Sequence, residues 1–249
     1  MPNTDWSTKG YTIARGVFSP AEAGALADEA DRLLGLTALA TTDNLRCRWA
    51  NHVDTGECRL DAWDPVIDLS PRFAAAARDP RLLALVGGLY GEPACLFKDK
   101  LIYKLPGAPG YDLHQDWIAW SDFPESFVTA AVALDASDAE SGGTEFFPGL
   151  HRDGSLVPAD GRFNRIDPAV VANVPGEIPQ LAPGDVVVFG GFVPHRSGPN
   201  RSSHPRRLLY ASYNRASEGG DQRDRHYVQF RAWLKQQYAN HGRFGVTFR

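Results

Sequence analysis

The chain has 249 residues, 43% hydrophobic and 11% aromatic, enough to bury a sizeable core within one large domain. A formal charge of −4 argues against a nucleic-acid partner, because phosphate recognition needs a basic face. Cys47, Cys58 and Cys95 lack CxxC spacing, so neither a disulfide framework nor a zinc site is expected. With no apolar run long enough for a membrane span or a signal core, the expected setting is cytoplasmic with no membrane partner.

In chain order, Tyr11 to Phe18 reads as a short strand. Ser19-Pro20-Ala21-Glu22 then carries a cap, a first-turn proline and a capping-box acid, and Leu26, Ala30, Leu33 and Leu34 recur at helical spacing. A helix over about 20–34 follows. Asp79-Pro80 repeats the signal for a second helix, which Gly91 ends. From Ala94 onward short β-rich segments alternate with turns: Cys95–Lys104, Phe127–Asp135, Gly143–Phe147, Asp185–Phe189 and Arg206–Asn214. That pattern predicts a sandwich or barrel rather than a parallel sheet. The stretch from His151 to Pro183 reads as a long excursion covering a pocket. A last helix is expected over about 221–238, with Tyr227, Phe230, Trp233 and Leu234 on one side. The predicted organisation is a single domain, 1–249: a helical N-terminal part (about 1–93), a β-core (about 94–216) and this C-terminal helix.

Charge is uneven along this order. From Arg196 to the end there are eleven Lys/Arg against three Asp/Glu, so that stretch carries +8 and the remainder −12. A solvated basic surface accounts for this, and so do arginines lining a pocket for small anions.

The chemically loaded segment is Leu113-His114-Gln115-Asp116-Trp117. On an extended chain, residues two apart share a face, so His114 and Asp116 offer an imidazole and a carboxylate side by side. Pro183-Gly184-Asp185 turns into the apolar strand Val186–Phe189, and His195 follows amid glycine and proline at the strand's rim. Two histidines and one carboxylate with open positions form the set used for non-haem Fe(II) oxygenases. Eleven residues after His195, Arg206 opens a strand expected to run back beside the one carrying His195, where its guanidinium would pair with a carboxylate. Arg201 or Arg207 could serve in its place, although Arg207 should face the other way.

These motifs resemble the phytanoyl-CoA dioxygenase family of 2-oxoglutarate oxygenases. The resemblance rests on His114-Gln115-Asp116, the distal His195 and Arg206 eleven residues later. Lys104-Leu105-Pro106-Gly107, Ser141-Gly142-Gly143-Thr144, Phe147-Pro148-Gly149-Leu150-His151 and Pro183-Gly184-Asp185 support it, together covering about residues 95–215. It implies a mainly β fold with flanking helices around a double-stranded β-helix (jelly-roll, cupin-like) core. It further implies Fe(II) on His114, Asp116 and His195, 2-oxoglutarate with its far carboxylate on Arg206, and O2 as second co-substrate. Thr129 and Lys100 are expected near 2-oxoglutarate, although the resemblance leaves the co-substrate packing open: many relatives carry a bulky aromatic where this chain has Ala131. Gln115, Trp117 and Trp120 are the expected substrate neighbours. Because Asp116 keeps the carboxylate that related halogenases lack, hydroxylation is expected over chlorination. A small polar metabolite (an amino acid, amine, phosphonate or natural-product intermediate) is the favoured substrate. An acyl or CoA-linked substrate is an alternative, as is a non-oxidative metal-dependent or binding jelly-roll protein.

Overall fold

The computed structural model describes residues 4–41, 44–118, 123–157, 165–241 and 247–248. In its first third, α1 (Thr4–Lys9) leads into β1 (Tyr11–Ala14), followed by α2 (Pro20–Leu34) and α3 (Thr37–Thr41). The α2 start carries the expected reciprocal cap, with the Ser19 hydroxyl accepting from Glu22 N and the Glu22 carboxylate accepting from Ser19 N. Strands β2 (Cys47–Asn51) and β3 (Cys58–Trp63) precede helices α4 (Pro71–Ala77) and α5 (Pro80–Tyr90). Asp79 caps α5, and Gly91 ends it in the left-handed region at φ 73°. The N-terminal part is therefore not simply helical: it contributes three strands to the main sheet. None of β1, β2 and β3 pairs in isolation, and each earns its place against a strand that comes later in the chain or beside it.

The β-core supplies β4 (Ala94–Lys104), β5 (Tyr111–His114), β6 (Val128–Ala133), β7 (Thr144–Phe146), β8 (Val186–Gly190), β9 (His195–Ser197) and β10 (Arg206–Arg215). Helix α6 (Arg223–His241) and β11 (Thr247–Phe248) complete the described elements. One sheet has eight strands in the order β1-β8-β6-β10-β4-β3-β2-β11, and the other has three, β5-β9-β7. Among the described residues the strand pairings are all antiparallel. This is the jelly-roll arrangement of two facing sheets.

The large sheet is apolar on both faces. Its outer face (Leu101, Tyr103, Val128, Ala130, Val186, Leu209, Tyr213) packs under Leu26, Leu33, Phe73, Leu82 and Val86 of the helices. Its inner face (Ile102, Ala131, Ala133, Val187, Phe189, Leu208) meets Phe146 and Val193 from the small-sheet side. Arg207 points outward, bonded to Asp135 and Asp31, so Arg206 points inward as the two-residue period requires. The strand carrying Arg206 does not run beside the one carrying His195. Strand β10 lies between β6 and β4 in the large sheet, and β9 lies in the small one, so the two residues meet across the sandwich.

The described parts of the excursion after His151 are stitched down rather than free. Phe146 and Glu177 exchange backbone hydrogen bonds, as do Ser137 and Leu181, and Ile166 N donates to Leu113 O. Leu113, Phe147, Ile166 and Val171 form a small core beneath it. Among the described residues no helix is long and apolar enough to cross a membrane.

Candidate metal centre

Register puts the three predicted ligands together. In the small sheet His114 of β5 lies directly opposite His195 of β9, and their rings sit 4.2 Å apart. Asp116 follows two residues on, held by Trp117 N donating to Gly191 O at 3.0 Å, while Gly191 N donates to Phe127 O at 2.7 Å. Its Oδ1 lies 3.7 Å from His114 Nε2 and 3.9 Å from His195 Nε2. One ligand atom from each of the three falls within 4.8 Å of the others.

Tautomer and charge suit a cation at that point. His114 Nδ1 lies 2.7 Å from Asp112 O and His195 Nδ1 lies 2.9 Å from Val193 O, so each Nδ1 carries the hydrogen and each Nε2 presents its lone pair. Burial pushes the His114 pKa down to about 3, helped by His195, and burial likewise lowers that of His195. Both rings are neutral ligands near neutral pH. Burial alone would raise the Asp116 pKa, but Lys100 and the two histidines hold it below the usual carboxylate range. Two imidazoles and one carboxylate on one side of the site match Fe(II) in an oxygenase, with further positions left for a co-substrate.

A second feature lies deeper between the sheets. Arg206 is 1% exposed, donates from Nη2 to Gly142 O at 2.6 Å, and has no partner for Nε and Nη1. Beside it the fully buried Lys104 donates to Gly142 O (3.0 Å) and Ser197 Oγ (2.7 Å). Burial, reinforced by Arg206, lowers the Lys104 pKa to about 6. Gly142 is essential to this cradle: its φ is +73°, and a Cβ there would lie 2.6 Å from Gly198 O and 3.0 Å from Lys104 Cε. A buried guanidinium with two orphaned nitrogens beside a buried lysine forms a receptor for an anion. From His195 to Ser197 is roughly 6.7 Å of strand, a span that suits a five-carbon diacid. A small chamber of about 60 Å³ bordered by His114, His195, Ser197 and Tyr210 lies along that line. The donor set and the orphaned Arg206 nitrogens therefore fit Fe(II) and 2-oxoglutarate.

The remaining expected residues divide. Lys100 borders both this chamber and a larger cavity of about 440 Å³ on the other side of His114 and Asp116. Thr129 bonds the ligand set. It is 1% exposed, and its hydroxyl donates to Asp116 Oδ2 at 3.3 Å and bonds Ser212 Oγ at 2.9 Å, steadying the carboxylate. Gln115 is not a substrate neighbour. It points away from His114 and Asp116, as strand alternation demands, and its fully buried amide bonds Gly154 O, Phe192 O and Leu156 N. Trp117 stacks near Phe192, with ring centroids 5.0 Å apart, and Ile118 rather than Trp117 reaches the cavity. Trp120 lies outside the described residues.

Sequence reasoning missed Lys104 as part of the anion cradle, and Lys98, Arg48 and the aromatic residues of α6 as cavity walls. The alternation Lys98-Lys100-Ile102-Lys104 on one strand face was the available signal for the lysines. Nothing local to α6 announces which cavity it roofs.

Comparison with known proteins agrees with this geometry. Residues 6–208 match the phytanoyl-CoA dioxygenase (PhyH) family. The chain is 34% identical to methylphosphonate hydroxylase of Gimesia maris over 208 residues, covering 77% of this chain and 78% of that one. It is 29% identical to 2-aminoethylphosphonate dioxygenase of the uncultured bacterium HF130_AEPn_1, covering 87% and 81%. Among solved structures, the epimerase SnoN in complex with Fe3+, alpha ketoglutarate and nogalamycin RO superposes with a TM-score of 0.70 at 25% identity, covering 86% of this chain and 82% of that one. The chain belongs to the phytanoyl-CoA dioxygenase family and is an iron- and 2-oxoglutarate-dependent dioxygenase.

Proposed function

We propose that this enzyme hydroxylates a C–H bond of a small anionic metabolite of the phosphonate type, with Fe(II) on His114, Asp116 and His195 and the far carboxylate of 2-oxoglutarate on Arg206 and Lys104. The carrying observation is the pair of backbone-bonded Nδ1 atoms, which turns both Nε2 atoms toward Asp116 within one ligand-sized space. The phosphonate class rests on two relatives named for such substrates and on Lys100, which borders the large cavity with no carboxylate within 4 Å among the described residues.

Iron with 2-oxoglutarate and O2 supplies the oxidising power: the co-substrate goes to succinate and CO2 while the substrate gains a hydroxyl. The protein's part is placement. Thr129 and Ser212 fix the Asp116 carboxylate, while Asp112 O and Val193 O fix the two imidazoles. Arg206 and Lys104 anchor one end of the co-substrate so that its other end reaches the ligand set, and Phe146 and Phe189 keep water from the His195 side. The whole chain acts as one catalytic unit. A reducing, cytoplasmic setting suits its three free cysteines.

Adding Fe(II) and then 2-oxoglutarate to the protein without oxygen should produce the visible charge-transfer band of the chelate. His195→Ala should abolish it. Arg206→Ala should raise the 2-oxoglutarate concentration needed by about 10- to 100-fold. Bound metal with no band in the wild-type protein would overturn this reading.

A further inference from the structure

The large cavity is divided by chemistry along β4. Next to the ligand set stands Lys100, which makes no ion pair with a carboxylate within 4 Å among the described residues and whose Nζ lies 4.9 Å from the centre of the Tyr210 ring. Two residues further along the same strand face, Lys98 is occupied by Asp64 at 3.3 Å and lies 4.6 Å from the centre of the Phe230 ring. Beyond it the walls are mainly apolar, with Phe123 and Phe127 on one side and Phe230, Trp233, Leu234 and Tyr238 of α6 forming the roof, where His226 and Gln237 are the polar members. Every one of those α6 residues lies past position 208, where the match to the family ends. The volume of about 440 Å³ is within the range of roughly 300–1,000 Å³ typical of sites for drug-sized ligands. A ligand as small as methylphosphonate would leave most of it, and the whole aromatic roof, unused.

We propose that the substrate is an anionic amphiphile: a phosphonate or carboxylate head held by Lys100 beside the ligand set, and an apolar, ring- or chain-bearing body packed under Phe230 and Trp233. The proposal rests on the oxygenase reading above and names the substrate's second half. Lys100 serves the head because the far carboxylate of the co-substrate already has Arg206 and Lys104, while Arg48 and Lys98 are paired with Asp61 and Asp64, and Lys100 borders both spaces beside the ligand set. The aromatic roof serves the body because buried ring faces stabilise an apolar group and give little to a fully hydrated one.

The test is binding without turnover. The protein loaded with Fe(II) and 2-oxoglutarate under argon is titrated with methylphosphonate, 4-phenylbutylphosphonate and 4-phenylbutan-1-ol, read by calorimetry and by the shift of the chelate band. The arylalkyl phosphonate should bind at least about tenfold tighter than methylphosphonate. Trp233→Ala should reduce that preference to under about threefold, and Trp233→Phe, which keeps a ring, should retain it. Lys100→Gln should weaken both phosphonates by about tenfold and leave the alcohol unchanged. Equal affinity for the two phosphonates, a preference that survives Trp233→Ala, or an alcohol that binds as well as its phosphonate would each overturn the proposal while the chelate band still supports the oxygenase. Loss of the band itself would overturn the oxygenase reading and this proposal with it.

Discussion

Arg206 and Arg207 are neighbours with opposite fates, and strand alternation alone decides it. Arg207 is satisfied by Asp135 and Asp31 on the outer face, whereas Arg206 is sunk beside Lys104 with two nitrogens unpaired. Burying two cations without a carboxylate between them costs the ligand-free protein stability, and the cost has a pH signature. Lys104 titrates near 10.5 when unfolded and near 6 when folded, so between those values the unfolded chain holds the extra proton. Stability of the ligand-free protein should therefore rise as pH increases from about 6 toward 10, with the full cost present below about 6. Lys104→Met should raise the stability of the ligand-free protein at pH 6 by on the order of 2 kcal/mol and flatten that rise, while weakening 2-oxoglutarate binding. Denaturation at pH 6 and pH 9, beside calorimetric titration of the co-substrate, checks both halves. A variant that is less stable and binds 2-oxoglutarate unchanged would remove Lys104 from the cradle.

At the scale of elements, local chemistry sets the helices and long-range pairing sets the short strands. Helix α5 begins at the Asp79 cap and ends where Gly91 adopts a left-handed conformation that a side chain would strain. Gly91→Ala should lower stability by about 1 kcal/mol with no change in the chelate band, as chemical denaturation would show. Such signals make α2 and α5 legible from sequence to the residue. Strand β9 is only His195–Ser197, and β5 only Tyr111–His114. Neither has enough residues to show a period: β5 exists because β9 lies opposite it, and β9 because it lies between β5 and β7. The chain thus reveals the ligands more clearly than the strands that hold them, since His114, Asp116 and His195 are recognisable by residue type and spacing.

Across the whole molecule, α6 is tied to the sheet by a buried hub. The Asp99 carboxylate is fully buried and accepts from Val66 N, Ile67 N and Arg223 Nε, the last at 2.7 Å, and Tyr227 of α6 bonds Asp99 O. Burial pushes the Asp99 pKa up against the pull of Arg223. Asp99→Asn leaves Arg223 with only the half-exposed Asp68, 2.9 Å away, and should cost about 1–3 kcal/mol. It should also loosen the roof of the large cavity, so that trypsin cuts within α6 faster than in the wild-type protein. Wild-type proteolysis together with unchanged stability would mean that α6 is held mainly by its apolar contacts.

The sequence by itself determined the metal ligands, the inward Arg206, the capped helices and the β-rich core, because each depends on residue type, spacing or period over a few positions. Only the tertiary structure decided that Gln115 clamps a loop, that Thr129 serves Asp116, that Lys104 joins Arg206, and that α6 roofs the cavity. Those assignments depend on which segments face each other across the sandwich. That facing is set by sheet order and register, which no local pattern encodes.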